Sequence, residues 1–246
     1  TVEKTIISAM TDVVAHRGPD GSGIFMEKNL ALGHRRLSII DLSENASQPM
    51  HFGDKYVIVF NGEIYNYIEL REELKSFGYI FKTASDTEVI LAAYDKWKDA
   101  CVNRFNGMWA FCIYERAKEL LFCSRDRFGV KPFYYSVYDG IFRFGSEIKQ
   151  LFCSGLPRVV NSNVLANYLV LGLEEYNNET FFRDILRLLP GHNMVIDLKS
   201  GAISIDRYYV ITIDPSISLL SLEDSGELYL KELTRSVTYR LRSDVK

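Results

Sequence analysis

The chain has 246 residues, 47% of them hydrophobic and 25% charged, which argues against disorder and for an ordinary globular protein. A formal net charge of -3 with no Lys/Arg block argues against a nucleic-acid footprint. No apolar run approaches the roughly 20 residues that span a bilayer, and no charged-then-apolar leader opens the chain, so a cytoplasmic protein without membrane or nucleic-acid partners is expected.

Ile6, Met10, Val13 and Val14 form a helical stripe that ends at the breaker Gly18-Pro19-Asp20-Gly21. Short strands follow at residues 23–26, 30–33 and 57–60, the last stopping on Asn61-Gly62-Glu63. The spacing predicts a helix over residues 64–77, with Tyr67, Leu70, Leu74 and Phe77 on one face and Gly78 as its C-cap. Another helix opens on Ser85-Asp86-Thr87-Glu88, read as a capping box, and turns Ile90, Ala93, Tyr94 and Trp97 inward. The middle of the chain is strand-rich: residues 108–115 pair with 120–124, and 133–137 with 141–144 around Asp139-Gly140. Short helices near 146–152 and 164–171 precede a last hairpin of 193–197 with 202–206. Helices and strands that segregate rather than alternate indicate an α+β fold with mainly antiparallel sheets.

From about Ile211, Pro215 and a Ser-rich stretch lead into an amphipathic helix over residues 222–241, with Leu230, Leu233, Val237 and Leu241 at helical spacing. Its apolar stripe needs a partner surface. Residues 1–210 therefore read as one domain, and 211–246 as a linker and the first helix of a second.

The four cysteines, Cys101, Cys112, Cys123 and Cys153, show no metal-ligand spacing with one another or with the scattered histidines. Neither a structural metal nor a disulfide is expected, and Cys112 and Cys123 read as small buried thiols in strands.

Polar groups gather where elements begin and end. Asn61-Gly62 closes a strand and is read in two ways, as a hairpin turn or as an amide and a backbone N–H aimed at one developing oxyanion. Arg36 follows a strand; its planar fork suits a carboxylate, and it also fits a surface ion pair. Glu63 and Asp86 stand in first turns, where an acid either complements the helix dipole or meets an ammonium. One cation and two anions beside a donor pair suit a zwitterionic amino acid.

In order, the segments are His16-Arg17-Gly18-Pro19-Asp20, Arg36-Leu37-Ser38-Ile39-Ile40-Asp41, Asn61-Gly62-Glu63-Ile64-Tyr65-Asn66 and Ser85-Asp86-Thr87-Glu88. Phe105-Asn106-Gly107-Met108-Trp109, Arg125-Asp126-Arg127-Phe128-Gly129-Val130-Lys131-Pro132, Ser146-Glu147-Ile148-Lys149 and Leu189-Pro190-Gly191-His192 complete the series. From about Val2 to Tyr209 the chain resembles the glutaminase domain of glutamine-hydrolysing asparagine synthetases, a class II glutamine amidotransferase of the N-terminal-nucleophile hydrolase superfamily. Arg240-Leu241-Arg242-Ser243-Asp244-Val245 resembles the lead-in to the synthetase domain.

The resemblance implies a four-layer αββα sandwich that hydrolyses glutamine and passes ammonia to an ATP-using site, with aspartate as the family's default acceptor. It assigns Asn61 and Gly62 to the oxyanion hole, Arg36 to the glutamine carboxylate, Ile39 and Ile40 to the pocket wall, and Glu63 and Asp86 to the substrate's amino group. His16 and Arg17 are expected to brace the pocket loops, and the segments 125–135 and 146–149 to be structural. It also implies a Cys nucleophile at the start of the mature chain. Thr1 is not expected to replace it, because the residues after Thr1 run into a helix, and an opening strand and loop of roughly fifteen residues are expected to precede Thr1. The pyrophosphate loop, ATP and Mg²⁺ belong to the implied synthetase domain, so no cofactor is expected in this chain. The expected partners are glutamine and that domain; the oligomeric state stays open, dimers being the commonest soluble assembly. The alternative is a non-hydrolysing scaffold domain of the same descent, and a more distant one is an amidotransferase acting on phosphoribosyl pyrophosphate or fructose 6-phosphate.

Overall fold

A computed structural model describes residues 2–245, so Thr1, rejected above as a nucleophile, lies outside the described residues. The helices are α1 (Lys4–Asp12), α2 (Tyr67–Ser76), α3 (Asp86–Trp97), α4 (Ile148–Phe152), α5 (Ser162–Leu171) and α6 (Leu222–Arg240). The strands are β1 (Gly21–Glu27), β2 (Leu30–Arg36), β3 (Met50–Phe52), β4 (Tyr56–Ile64), β5 (Gly107–Glu115) and β6 (Leu120–Arg125), then β7 (Tyr134–Tyr138), β8 (Ile141–Gly145), β9 (Leu186–Arg187), β10 (His192–Asp197) and β11 (Ile203–Arg207).

The main sheet has six strands in the order β11-β10-β6-β5-β4-β3, every pairing antiparallel. Both of its faces are covered, which is why Tyr56-Val57-Ile58-Val59-Phe60 is a continuous apolar run rather than an alternating one. Ile58, Phe60, Trp109, Phe111 and Phe122 face Leu70, Leu74 and residues 89–94 of α2 and α3. Val57, Val59, Cys112, Cys123, Met194 and Ile196 face Leu30, Leu32, Phe133 and Tyr135 from the second β layer. That layer is in two pieces, β1-β2 and β8-β7-β9. Helices α1 and α4 pack on its outer side, so the layers run helix, sheet, sheet, helix.

Of the two readings of Asn61-Gly62 one is excluded, and one helix start moves. Asn61-Gly62 is no hairpin turn, for β4 continues through both residues, with Asn61 opposite Ala110 and Gly62 opposite Trp109. The helix expected from residue 64 accordingly starts at Tyr67, because Ile64 is still paired with Gly107. Gly62 is needed there: its φ is +154° and a Cβ would lie 2.1 Å from Met108 O. Helix α6 has no buried residue, and Leu230, Leu233 and Val237 are exposed. No helix is long and apolar enough to cross a membrane among the described residues.

The turn after β6 is organised by one carboxylate. Buried Asp126 accepts the N–H groups of Trp109 at 3.2 Å, Phe128 at 3.1 Å, Val130 at 3.0 Å and Lys131 at 2.9 Å. Asp126→Ala leaves those donors without a partner and should cost about 3–4 kcal/mol in urea unfolding.

Candidate functional site

At one end of the main sheet, β3 covers β4 only from Tyr56 to Ile58. Beyond that, alternate β4 N–H groups point to an edge without a neighbouring strand, following the two-residue period of extended backbone. Side chains meet them instead. Phe60 N–H donates to Gln48 Oε1 at 2.6 Å, and Ile64 N–H donates to Asp86 Oδ2 at 2.9 Å. Gly62 lies between these two, so its N–H faces the same edge.

That edge opens on a cleft of about 330 Å³ that brings together all seven residues singled out in the sequence: Arg36, Ile39, Ile40, Asn61, Gly62, Glu63 and Asp86. Asn61 Nδ2 donates to Ser146 Oγ at 3.4 Å from the opposite wall. Arg36 ends β2, and the preceding loop clasps that strand end. A Cβ on Gly18 would meet Arg35 C at 2.3 Å, Asp20 N–H donates to Arg36 O at 3.0 Å, and Asp20 Oδ2 accepts Ser38 N–H at 2.8 Å. The Arg36 guanidinium donates to Ser43 O at 2.8 Å and to Asp41 O, which fixes the fork while each terminal nitrogen keeps a second N–H.

Asp86 opens α3, and its loop is held from several sides. Arg71 donates to Thr83 O at 2.7 Å and to Ser85 O at 2.9 Å. Ser85 caps α3 by accepting Thr87 N–H at 3.1 Å, but the reciprocal arm of the expected capping box does not form. Glu88 turns back instead to accept Lys82 N–H at 2.9 Å and Thr83 N–H at 2.7 Å.

The electrostatics separate a cationic end at Arg36 from an anionic end at Glu63 and Asp86. Burial, with the nearby Glu63 charge adding to it, pushes the Asp86 carboxyl up to about 6 against the hydrogen bond from Ile64. Burial also raises Glu63, opposed by the Lys131 ammonium. Both acids are thus held above their ordinary range within one cleft, an arrangement that a neighbouring cation would relieve.

Among the cleft residues that the sequence does not single out are Gln48, Lys131, Ser146 and His34. Lys131 and Ser146 sit in segments expected to be structural, and both line the cleft. His34 is held neutral, its burial lowering it to about 4, while Nε2 lies 3.0 Å from Phe60 O and the buried Nδ1 has no partner. Only the step of two from His34 to Arg36 along one strand could have flagged it. His16 and Arg17, expected to brace the pocket loops, both meet Glu147, at 3.0 Å and 3.4 Å, and Arg17 lines the cleft. Of the cysteines, Cys101, Cys112 and Cys123 are buried, and none of the four lines the cleft. No group of three His, Cys, Asp or Glu able to hold a metal occurs among the described residues.

A family model described as glutamine amidotransferase domain matches residues 1–209. Among curated relatives, asparagine synthetase (glutamine-hydrolyzing) 3 of Bacillus subtilis is 36% identical over 99% of this chain and 39% of its own length. The putative asparagine synthetase (glutamine-hydrolyzing) 2 of Methanocaldococcus jannaschii is 38% identical over 99% of this chain and 50% of its own length. The chain thus spans half or less of the length of these relatives. Among solved structures, a glutamine phosphoribosylpyrophosphate amidotransferase from B. subtilis shares the fold with a TM-score of 0.63, at 18% identity, over 85% of this chain and 48% of that one.

Ionisation of Asp86 inside the fold has a cost. The unfolded carboxyl loses its proton near 3.8 and the folded one near 6, so stability falls as pH rises through that interval and the loss is complete above it. Asp86→Asn removes the titration and should flatten the pH dependence of urea unfolding between about pH 4 and 7, a difference of about 3 kcal/mol.

Proposed function

The chain belongs to the glutamine amidotransferase domain family, and on that premise we propose that it is the glutamine-hydrolysing half of an asparagine-synthetase-like enzyme. Residues 1–210 are the glutaminase domain, and 211–246 lead into an ATP-dependent synthetase domain in which ATP and Mg²⁺ serve the amidation of aspartate. The observation that carries this reading is the open edge of β4, where Asn61, Gly62 and Glu63 line one cleft with Asp86 and Arg36.

In this reading Arg36 takes the α-carboxylate of glutamine, Glu63 and Asp86 take its α-ammonium, and Ile39 and Ile40 flank its methylenes. The substrate's ammonium favours the ionised Asp86, drawing its carboxyl back down from about 6. A thiolate then adds to the side-chain amide carbon, and the oxygen that becomes negative is met by Asn61 Nδ2 and Gly62 N–H. Collapse breaks the C–N bond, ammonia leaves with the proton taken from the thiol, and a γ-glutamyl thioester remains. Water hydrolyses the thioester to glutamate and restores the thiol.

The thiol is assigned to an N-terminal Cys on a strand ahead of Val2. Among the described residues, β2 over 30–35 pairs only with β1, and β8 pairs only with β7. Leu30 and Ala31 of β2, Ile141 and Phe144 of β8, and Val2 line one cavity of about 520 Å³. The other ends of these two strands deliver His34 and, just beyond β8, Ser146 to the cleft. A strand between them would join the two pieces of the second layer, begin beside Asn61 and lead into Val2. The first residue of the intact mature protein, read by mass spectrometry, is expected to be Cys; any other residue there favours the non-hydrolysing scaffold.

Asn61→Ala in the intact protein should lower glutamine-dependent synthesis about a hundredfold or more while ammonia-dependent synthesis is retained. Equal loss of both rates, measured side by side, would remove the assignment.

A further inference from the structure

The segment after α6 folds back onto the loop that carries the cleft's cation. Asp244 N–H donates to Ile39 O at 2.9 Å, and Asp41 N–H donates to Asp244 Oδ2 at 2.7 Å. Arg242 anchors the same segment to the other rim. Its Nη1 donates to Tyr65 O at 2.7 Å, and both terminal nitrogens meet the Glu69 carboxylate at 2.6 Å.

Asp41, the residue that Asp244 holds, is itself a junction. It has a left-handed backbone at φ 55°, a conformation that a non-glycine residue keeps only when its surroundings enforce it. Its Oδ1 accepts the Ser43 N–H at 3.1 Å and the Ser43 hydroxyl at 2.6 Å, and its Oδ2 accepts Ala84 N–H at 2.7 Å from the loop that leads into Asp86. Its carbonyl oxygen accepts from Arg36. One residue therefore touches the cation, the loop before the buried acid and the C-terminal segment.

We infer that Asp244 is a positioning residue for glutamine binding: through Asp41 it fixes the Arg36 fork and the Asp86 loop, so that the C-terminal segment sets the affinity of the cleft. This rests on the reading of the cleft as a glutamine site. The oxyanion donors are on β4, which its pairing with β5 holds through Asn61 and Gly62, and neither of them touches Asp41 or Asp244. Loss of the Asp244 contact therefore weakens substrate and transition state alike, which appears in KM and leaves kcat in place. The relation is reciprocal, since glutamine bound between Arg36 and Asp86 must in turn order the segment that favours it.

The test uses the intact protein, with glutamine-dependent and ammonia-dependent synthesis measured in parallel. Asp244 is exposed, so its replacement leaves the folded core untouched. Asp244→Ala should raise the glutamine KM about tenfold, with kcat at saturating glutamine and the ammonia-dependent rate unchanged. Asp244→Asn keeps an oxygen acceptor for Asp41 N–H and should recover most of the affinity. An unchanged KM in Asp244→Ala overturns the inference, as does a fall in kcat at constant KM or a failure of Asp244→Asn to recover. Arg36→Ala separates the two levels: if it raises the glutamine KM and Asp244→Ala does not, only the coupling is lost. If Arg36→Ala leaves glutamine use intact, the cleft assignment fails with it.

Discussion

A strand that outruns its neighbour sets the terms for the rest of this molecule. Past Ile58, β4 has a strand partner on one side only, and backbone N–H groups inside a protein must be met. Gln48 and Asp86 meet two of them, and each arrives on a loop that needs its own support. The cleft is thus the solution to a backbone accounting problem at the sheet's end, with the Gly62 N–H lying between the two side-chain acceptors.

The support takes a consistent form, in which a charged side chain binds several main-chain groups at once. Asp126 gathers four N–H groups, Glu88 and Arg71 hold the loop before Asp86, and Arg125 donates to the carbonyls of Lys131, Gly129 and Leu188 at 2.7, 2.8 and 2.7 Å. Such bonds are stronger than neutral ones and fix irregular backbone that no sheet or helix could order. They also explain why charged and amide residues crowd the chain's most distinctive segments. Asn66, for instance, accepts Asn106 N–H at 2.8 Å and donates to Arg104 O at 3.0 Å, tying the turn after β4 to the start of β5.

Much of this was legible in the sequence. The hairpin at 108–124 follows from two strand-like apolar runs, and that at 133–144 from Asp139-Gly140, whose backbones are both left-handed, at φ 53° and 66°. The seven cleft residues gathered because the segments that carry them are distinctive. The errors lay where long-range pairing overrides a local signal. Asn-Gly is a turn dipeptide by statistics, yet Gly62 sits mid-strand because Met108 and Trp109 come too close for a side chain. Glu88 sat at the right spacing for a capping box and was claimed by residues 82 and 83. Lys131 and Ser146 were invisible as cleft residues, since nothing local says which face of a loop will turn toward a strand 70 or 85 positions away. His34 carries no local signal of its own, since it stands just past the predicted strand and far in sequence from the other histidines.

The alternation along β4 has one more consequence. The N–H groups of Gly62 and Ile64 are separated by two residues of extended chain, about 6.8 Å. The first is the proposed oxyanion donor and the second holds Asp86, the proposed amine receptor, so the span between the two subsites is set by the pitch of a β-strand. A side chain can be mutated to another length, but the pitch cannot. In the proposed reading the spacing of the two subsites is therefore carried by the main chain of β4 as well as by the side chains of Asn61 and Asp86.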